Sequence, residues 1–244
     1  MFHKQGPSFF ELAQQALSST RHGYDLLAPK FDYTPFRTSP RILDAVSSQL
    51  SGQFSWRDGL DVCCGTGAGM ELLAKHCSES VTGVDFSKGM LDIARQQVES
   101  SGPQLNFRQQ DVLDEPLGNQ EFDVAVCFGA LGHVLPGRES DFIQNIANSL
   151  RPGGQFIFVT STMPSVISPA YWAARSFNAA MHVRNLIKRP PFIMFYLTFI
   201  WPTIEEKLRS AGFEPVCQPT FPDEKRLRII KTIVATKTAG NSKA

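Results

Sequence analysis

The spacing of apolar residues changes period repeatedly along the chain. Over residues 8–20 it is helical, with Phe9, Leu12, Ala13, Ala16 and Leu17 on one stripe. Residues 39–52 predict another helix, with Ser39 as its N-cap, Pro40 in its first turn and Gly52 past its end. A short strand over 58–63 then runs into the turn Cys63-Cys64-Gly65-Thr66-Gly67-Ala68-Gly69 and a helix over 68–76. Strands at 81–85, 104–109, 122–128 and 155–161 follow, with helices at 88–100 and 139–150 between them. Residues 122–128 (FDVAVCF) are apolar almost throughout, as in a strand buried on both faces. A helix at 203–211 leads to strands at 213–216 and 227–236. No helix separates these last two, so they predict an antiparallel hairpin at one sheet edge. The whole pattern predicts an α/β fold with a doubly wound, mostly parallel, seven-stranded sheet.

In such sheets ligands bind beyond the carboxyl ends of the strands. Gly65, Asp85, Asp111 and Phe128-Gly129 all fall there, on one rim. Gly65 and Gly67 permit positive φ and a close approach of ligand to backbone, and the following helix offers unpaired N–H groups. A nucleotide or a carboxylate would suit this turn, and dinucleotide-binding folds use a similar one. Two segments stand outside the alternation. Residues 1–37 carry the aromatic–acid pairs Tyr24-Asp25 and Phe31-Asp32 around a short helical piece, as an N-terminal helical lid or a helix packed on the core. Residues 162–201 contain no Asp or Glu and many aromatic and Met residues, with Arg175, Arg184, Lys188 and Arg189 as their cations. They predict an inserted helical cap that packs as core, walls a bulky apolar substrate, or touches a membrane surface.

Composition narrows the partners. The 244 residues are 42% hydrophobic and 19% charged, which fits one large globular domain. A net charge of +1 argues against a dedicated nucleic-acid binder. The five cysteines do not fall in metal-like pairs, and adjacent Cys63 and Cys64 cannot both reach one zinc. They predict reduced, buried thiols, no metal site and a cytoplasmic location. The start, MFHKQGP, lacks the apolar core of a signal peptide, and no apolar run reaches the roughly 20 residues of a membrane span. The tail from Lys237 reads as frayed.

Five stretches, in order and at matching spacing, resemble the class I S-adenosylmethionine-dependent methyltransferases. They are LDVCCGTGAG at 60–69, VTGVDFSKGML at 81–91, QQDVLDEPL at 109–117, FDVAVCFGALGHV at 122–134 and LRPGGQFIFV at 150–159. Cys63 stands where the family has its first turn glycine. The Cys-Cys-Gly-Thr-Gly and Val-Asp-Phe-Ser pieces look most like quinone-biosynthesis and related small-molecule enzymes, whereas 128–133 (FGALGH) has the generic family form.

The resemblance implies a Rossmann-like methyltransferase fold over 1–244, with S-adenosylmethionine as cofactor and S-adenosylhomocysteine as product. Asp61, Gly65, Thr66 and Gly67 would then meet the amino acid end. Asp85 would accept both ribose hydroxyls, Phe86 and Met90 would flank the adenine, and Asp111 and the Val112 amide would bond its edge. Phe128 and Gly129 would contact the methionyl group. A methyl on sulfonium already has a good leaving group, so alignment and desolvation carry an in-line transfer, and a base is needed only where the acceptor loses a proton. His133 is the best-placed base, Tyr24 and Tyr33 are lid candidates, and His22 and His182 are weaker ones. The expected acceptor is a small apolar molecule. The other classes in view are a non-catalytic S-adenosylmethionine-binding module and an NAD-dependent oxidoreductase.

Overall fold

A computed structural model of the chain describes residues 4–52 and 55–239. Residues 1–3 of the expected leaderless start and 240–244 of the expected frayed tail lie outside the described residues. Seven strands form one sheet in the order β3-β2-β1-β4-β5-β7-β6. They are β1 (Trp56–Val62), β2 (Cys77–Asp85), β3 (Gln104–Gln109), β4 (Phe122–Cys127), β5 (Leu150–Ser161), β6 (Phe213–Pro219) and β7 (Ile230–Lys237). β1 to β5 are parallel, β7 runs antiparallel between β5 and β6, and the hairpin sits at the edge. The order reverses between β2-β1 and β4, which opens a crevice past the ends of β1 and β4.

Both faces of the sheet are dry. One is covered by a cluster around Leu60, Phe142, Ile146 and Phe156, the other by Val46, Met70, Leu73, Leu91 and Val124. The helices are α1 (Phe9–Leu17), α2 (Thr20–Leu27), α3 (Pro40–Leu50), α4 (Ala68–Leu73), α5 (Lys88–Gln97), α6 (Glu139–Ser149), α7 (Pro169–Ile187) and α8 (Glu205–Ser210). A 3₁₀ turn over Ala28–Tyr33 continues α2.

Several expectations change in detail. In α1 the expected apolar stripe is not the inner face. Phe9 and Leu17 are exposed and Gln15 is buried, because its aliphatic stem packs into the gap left by Gly23 of α2. α4 has six residues, not nine, and ends as its chain turns directly into β2. Pro152-Gly153-Gly154 does not precede β5 but forms a bulge inside it, where the register against β4 shifts. Residues 162–201 comprise α7 and an irregular return segment, whose Phe192 and Phe195 bury against Met181. The return touches α2 and the segment just past β4. The Ile193 amide donates to Thr20 Oγ1 at 2.8 Å and the Phe195 amide to the Gly132 carbonyl at 2.8 Å.

The glycine turn is sterically fixed. Gly67 caps α4 at φ +96°, and a Cβ there would lie 2.2 Å from Val98 Cγ2 on the end of α5. Gly67→Ala is therefore expected to lower stability by about 2 kcal/mol or more in urea unfolding. A loss below about 0.5 kcal/mol would show that the turn relaxes freely.

Candidate active site

A cavity of about 270 Å³ opens past the carboxyl ends of β1, β2 and β4. Its floor is the glycine turn. Cys63 holds φ 58° without being glycine, and Gly65 holds φ 55°. The turn closes through Cys64 N to the Val84 carbonyl at 2.9 Å and Gly67 N to the Cys64 carbonyl at 2.8 Å.

Two buried carboxylates meet at this floor. Asp85, at the end of β2, accepts from Gly65 N at 2.9 Å through one oxygen and from Ser87 N at 2.8 Å through the other. Burial pushes its carboxyl up to about 6 against the pull of those amides, and Asp25 adds to the rise. Asp61, in β1, is 2% exposed, and its Oδ2 has no hydrogen-bond partner. Burial raises it well above the usual carboxylate range, the Met70 amide opposes this, and the Asp85 charge adds to it. Gly69 makes room for Asp61, since a Cβ there would lie 2.6 Å from its oxygens.

The walls come from segments far apart in sequence. Asp25 ties α2 to α5, accepting from Ser87 Oγ at 2.6 Å and Gly89 N at 3.0 Å. Asp32 ties the 3₁₀ turn to the floor, accepting from Thr66 Oγ1 at 2.7 Å and pairing with Arg37 Nε at 3.1 Å. Phe31 and Phe36 form one side, and Met194 and Tyr196 of the return segment form another. Tyr24 Oη and His133 Nε2 are 2.7 Å apart, with their rings edge-to-face.

The cavity brings together Tyr24, Asp61, Gly65, Thr66, Asp85 and Phe86 among the residues singled out from sequence. Met90, Phe128, Gly129 and His133 also line it, and Met90 is at the same time 1% exposed core. Three of the expected cofactor contacts do not line it, and neither do the lid and base candidates His22, Tyr33 and His182. Gly67 faces Val98, Asp111 caps its own turn by accepting from Leu113 N at 3.1 Å, and Val112 is packed in the core. Sequence reasoning missed Arg37, Thr38 and Cys64 as lining residues, and reached Met194 and Tyr196 only as members of the 162–201 cap. Thr38 had no usable signal: it approaches because Gly129 lacks a Cβ, which would sit 2.8 Å from Thr38 Oγ1. Arg37 did have one, being the only cation close behind the Phe31-Asp32 pair that lies within this cavity's lining.

A methyltransferase-domain family model matches residues 60–154, the segment that builds the floor. A ubiquinone biosynthesis O-methyltransferase of Coxiella burnetii is 38% identical over 101 residues, 41% of this chain and 42% of that protein. Over residues 60–154 the chain is therefore similar to methyltransferase domains. An O-methyltransferase of Penicillium expansum, cnsE, is 29% identical over 214 residues, covering 83% of this chain and 75% of that one. Among solved structures, an O-methyltransferase family protein from Burkholderia thailandensis superposes with a TM-score of 0.68 at 18% identity, over 95% of this chain and 68% of that one. The chain thus spans under half the length of the Coxiella relative and shares its whole architecture with more distant proteins. The methyltransferase cofactor carries an ammonium and a sulfonium. A buried, unpartnered carboxylate oxygen beside a second buried acid fits the ammonium of that cofactor.

Proposed function

We propose that this protein transfers a methyl group from S-adenosylmethionine to a small, largely apolar acceptor, by in-line displacement. The observation that carries this is the lone Asp61 Oδ2, buried at the cavity floor next to Asp85. A buried acceptor left unmatched costs about 1–3 kcal/mol, which an ammonium seated on it would offset. The same pair of acids opposes the pyrophosphate of a dinucleotide, which disfavours an NAD-dependent oxidoreductase.

When bound, S-adenosylmethionine supplies a methyl on a sulfonium, whose C–S bonding pair returns to sulfur on transfer. Asp61 receives the ammonium, and the Gly65 and Thr66 backbone lies along the amino acid end. Asp85 uses one lone pair of each oxygen for the turn amides, leaving the others for the ribose hydroxyls. Phe86 and Met90 flank the adenine, while Phe128 and Gly129 approach the methionyl group. Gly67, Asp111 and Val112 stand outside the lining of this cavity. The acceptor enters against Phe36, Met194 and Tyr196, and their apolar surface selects for a small hydrophobic molecule.

An apolar acceptor is richest at a membrane, and α7 offers a face to one. Val183, Leu186 and Ile187 are 57%, 82% and 80% exposed at helical neighbour spacing. Arg184 donates to the Ala16 and Ser18 carbonyls, which brings exposed Leu17 beside them. Lys188 and Arg189 follow, and the absence of acids in 162–201 suits an anionic lipid surface. Among the described residues no helix is long and apolar enough to cross a membrane.

Isothermal titration with S-adenosylmethionine tests the cofactor site. Asp85→Ala is expected to weaken binding at least about tenfold with its fold intact by circular dichroism. In the wild type the ligand favours ionised Asp85, so affinity rises as pH is raised through about 6 and levels off above it. An unchanged affinity in the variant would remove the site assignment. Flotation with phosphatidylglycerol vesicles is expected to carry the wild type but not Leu186→Glu/Ile187→Glu. A wild type that stays with the pellet contradicts the surface contact.

A further inference from the structure

Tyr24 Oη and His133 Nε2 stand 2.7 Å apart, and His133 Nδ1 is hydrogen-bonded to the Ile193 carbonyl oxygen. A carbonyl oxygen only accepts, so Nδ1 carries the proton. In the neutral ring Nε2 is then bare and accepts from Tyr24. The Tyr24 hydrogen therefore points at His133, and only the lone pairs of Oη are left for a ligand in the cavity. An atom of that kind suits a ligand that brings a hydrogen to it, such as a hydroxyl, and not a carboxylate. The surroundings are aromatic. Phe31, Phe86 and Phe192 stand 6.0, 6.4 and 6.5 Å from the Tyr24 ring, the last nearly parallel to it.

Resting on the methyl-transfer function proposed above, we propose that the acceptor is a phenol whose proton passes to Tyr24 Oη as the Tyr24 proton passes to His133 Nε2. The acceptor oxygen keeps the O–H bonding pair and forms its new bond to the methyl carbon. The resulting imidazolium, protonated on both nitrogens, later gives one proton to water. Tyr24 is the catalytic residue of this relay because it meets the acceptor, and His133 acts through it. Ile193 sets the direction of the relay, because its carbonyl selects the Nδ1–H tautomer. That carbonyl is held on both sides, by Ile193 N on Thr20 Oγ1 and Phe195 N on the Gly132 carbonyl.

The protonation states agree with this geometry. Burial lowers His133 from its ordinary value and the Ile193 bond opposes it only in part, so the ring is neutral at pH 7. Burial, with Asp85, Cys63 and Tyr196 facing it, raises Tyr24 well above its ordinary range and keeps it a phenol. Arg37 and Asp61 are the other charged groups lining the cavity.

The test compares wild type, Tyr24→Phe and His133→Gln. Glutamine can keep both hydrogen bonds, accepting from Tyr24 and donating to Ile193, but cannot take a proton. Labelled S-adenosylmethionine is offered with a panel of simple phenols, anilines and benzoates, and S-adenosylhomocysteine affinity is measured by calorimetry. Transfer is expected to phenols, with kcat down about 100-fold in both variants. Calorimetry is expected to give S-adenosylhomocysteine affinities within about threefold of wild type. The wild-type rate falls as pH drops through the acid side of the histidine range, whereas His133→Gln recovers rate as pH is raised. Wild-type kcat in His133→Gln overturns the relay, as does transfer confined to benzoates or anilines, or none to any phenol. Failure of the wild type to bind S-adenosylhomocysteine strikes instead at the cofactor site beneath it.

Discussion

Neighbouring parallel strands β1 and β2 each bring a carboxylate, Asp61 and Asp85, to the same water-poor floor, and the surrounding turn is arranged to hold them there. Asp85 is held by two backbone amides, one from the glycine turn and one from the start of α5. It thereby fixes the turn against the strand. Asp61 keeps an oxygen without a partner, and Gly69 exists without a Cβ so that this carboxylate can stand against the chain. Each acid resists ionisation because of burial, and the Asp85 charge makes ionisation of Asp61 less favourable still. A cation in the cavity would relieve both problems at once.

The rest of the molecule closes over that floor by polar ties at the segment ends. Asp25 anchors α2 on the start of α5, and Asp32 anchors the 3₁₀ turn on Thr66. On the far side the return segment after α7 reaches Thr20, Gly132 and His133 through its backbone. Tyr24 stands between these ties, its ring 6.4 Å from that of Phe86 and 5.2 Å from that of His133. The Ile193 carbonyl of the return segment selects which ring nitrogen of His133 carries the proton.

Much of this was legible in the sequence because it depends on strand period and on residues at strand ends. The near-continuous apolar run of β4 and the acid closing β2 follow directly from burial on both faces and from the rim where strands stop. The hairpin of β6 and β7 was legible from the missing helix between them. What escaped depends on packing across the fold. Gly67 reads as a ligand glycine but answers to Val98, 31 positions on, and nothing local in the sequence announces that contact. Asp111 reads as a binding acid, and one of its oxygens caps its own turn by accepting from the amide two residues ahead, as short acidic side chains often do at bends. In α1 the apolar stripe misled because its neighbour is one small helix, too narrow to cover Phe9 and Leu17. Met194 and Tyr196 lie in an irregular segment that has no period to read.

The proposed cofactor site depends on Asp61 as the seat of a ligand's ammonium. Calorimetry with S-adenosylhomocysteine and with 5′-methylthioadenosine, which lacks the amino acid end, tests it most directly in wild type and Asp61→Asn. The account predicts that the wild type prefers S-adenosylhomocysteine by at least about tenfold and that Asp61→Asn loses most of this preference while binding methylthioadenosine as before. Equal weakening of both ligands, or a preference that survives the substitution, would contradict it.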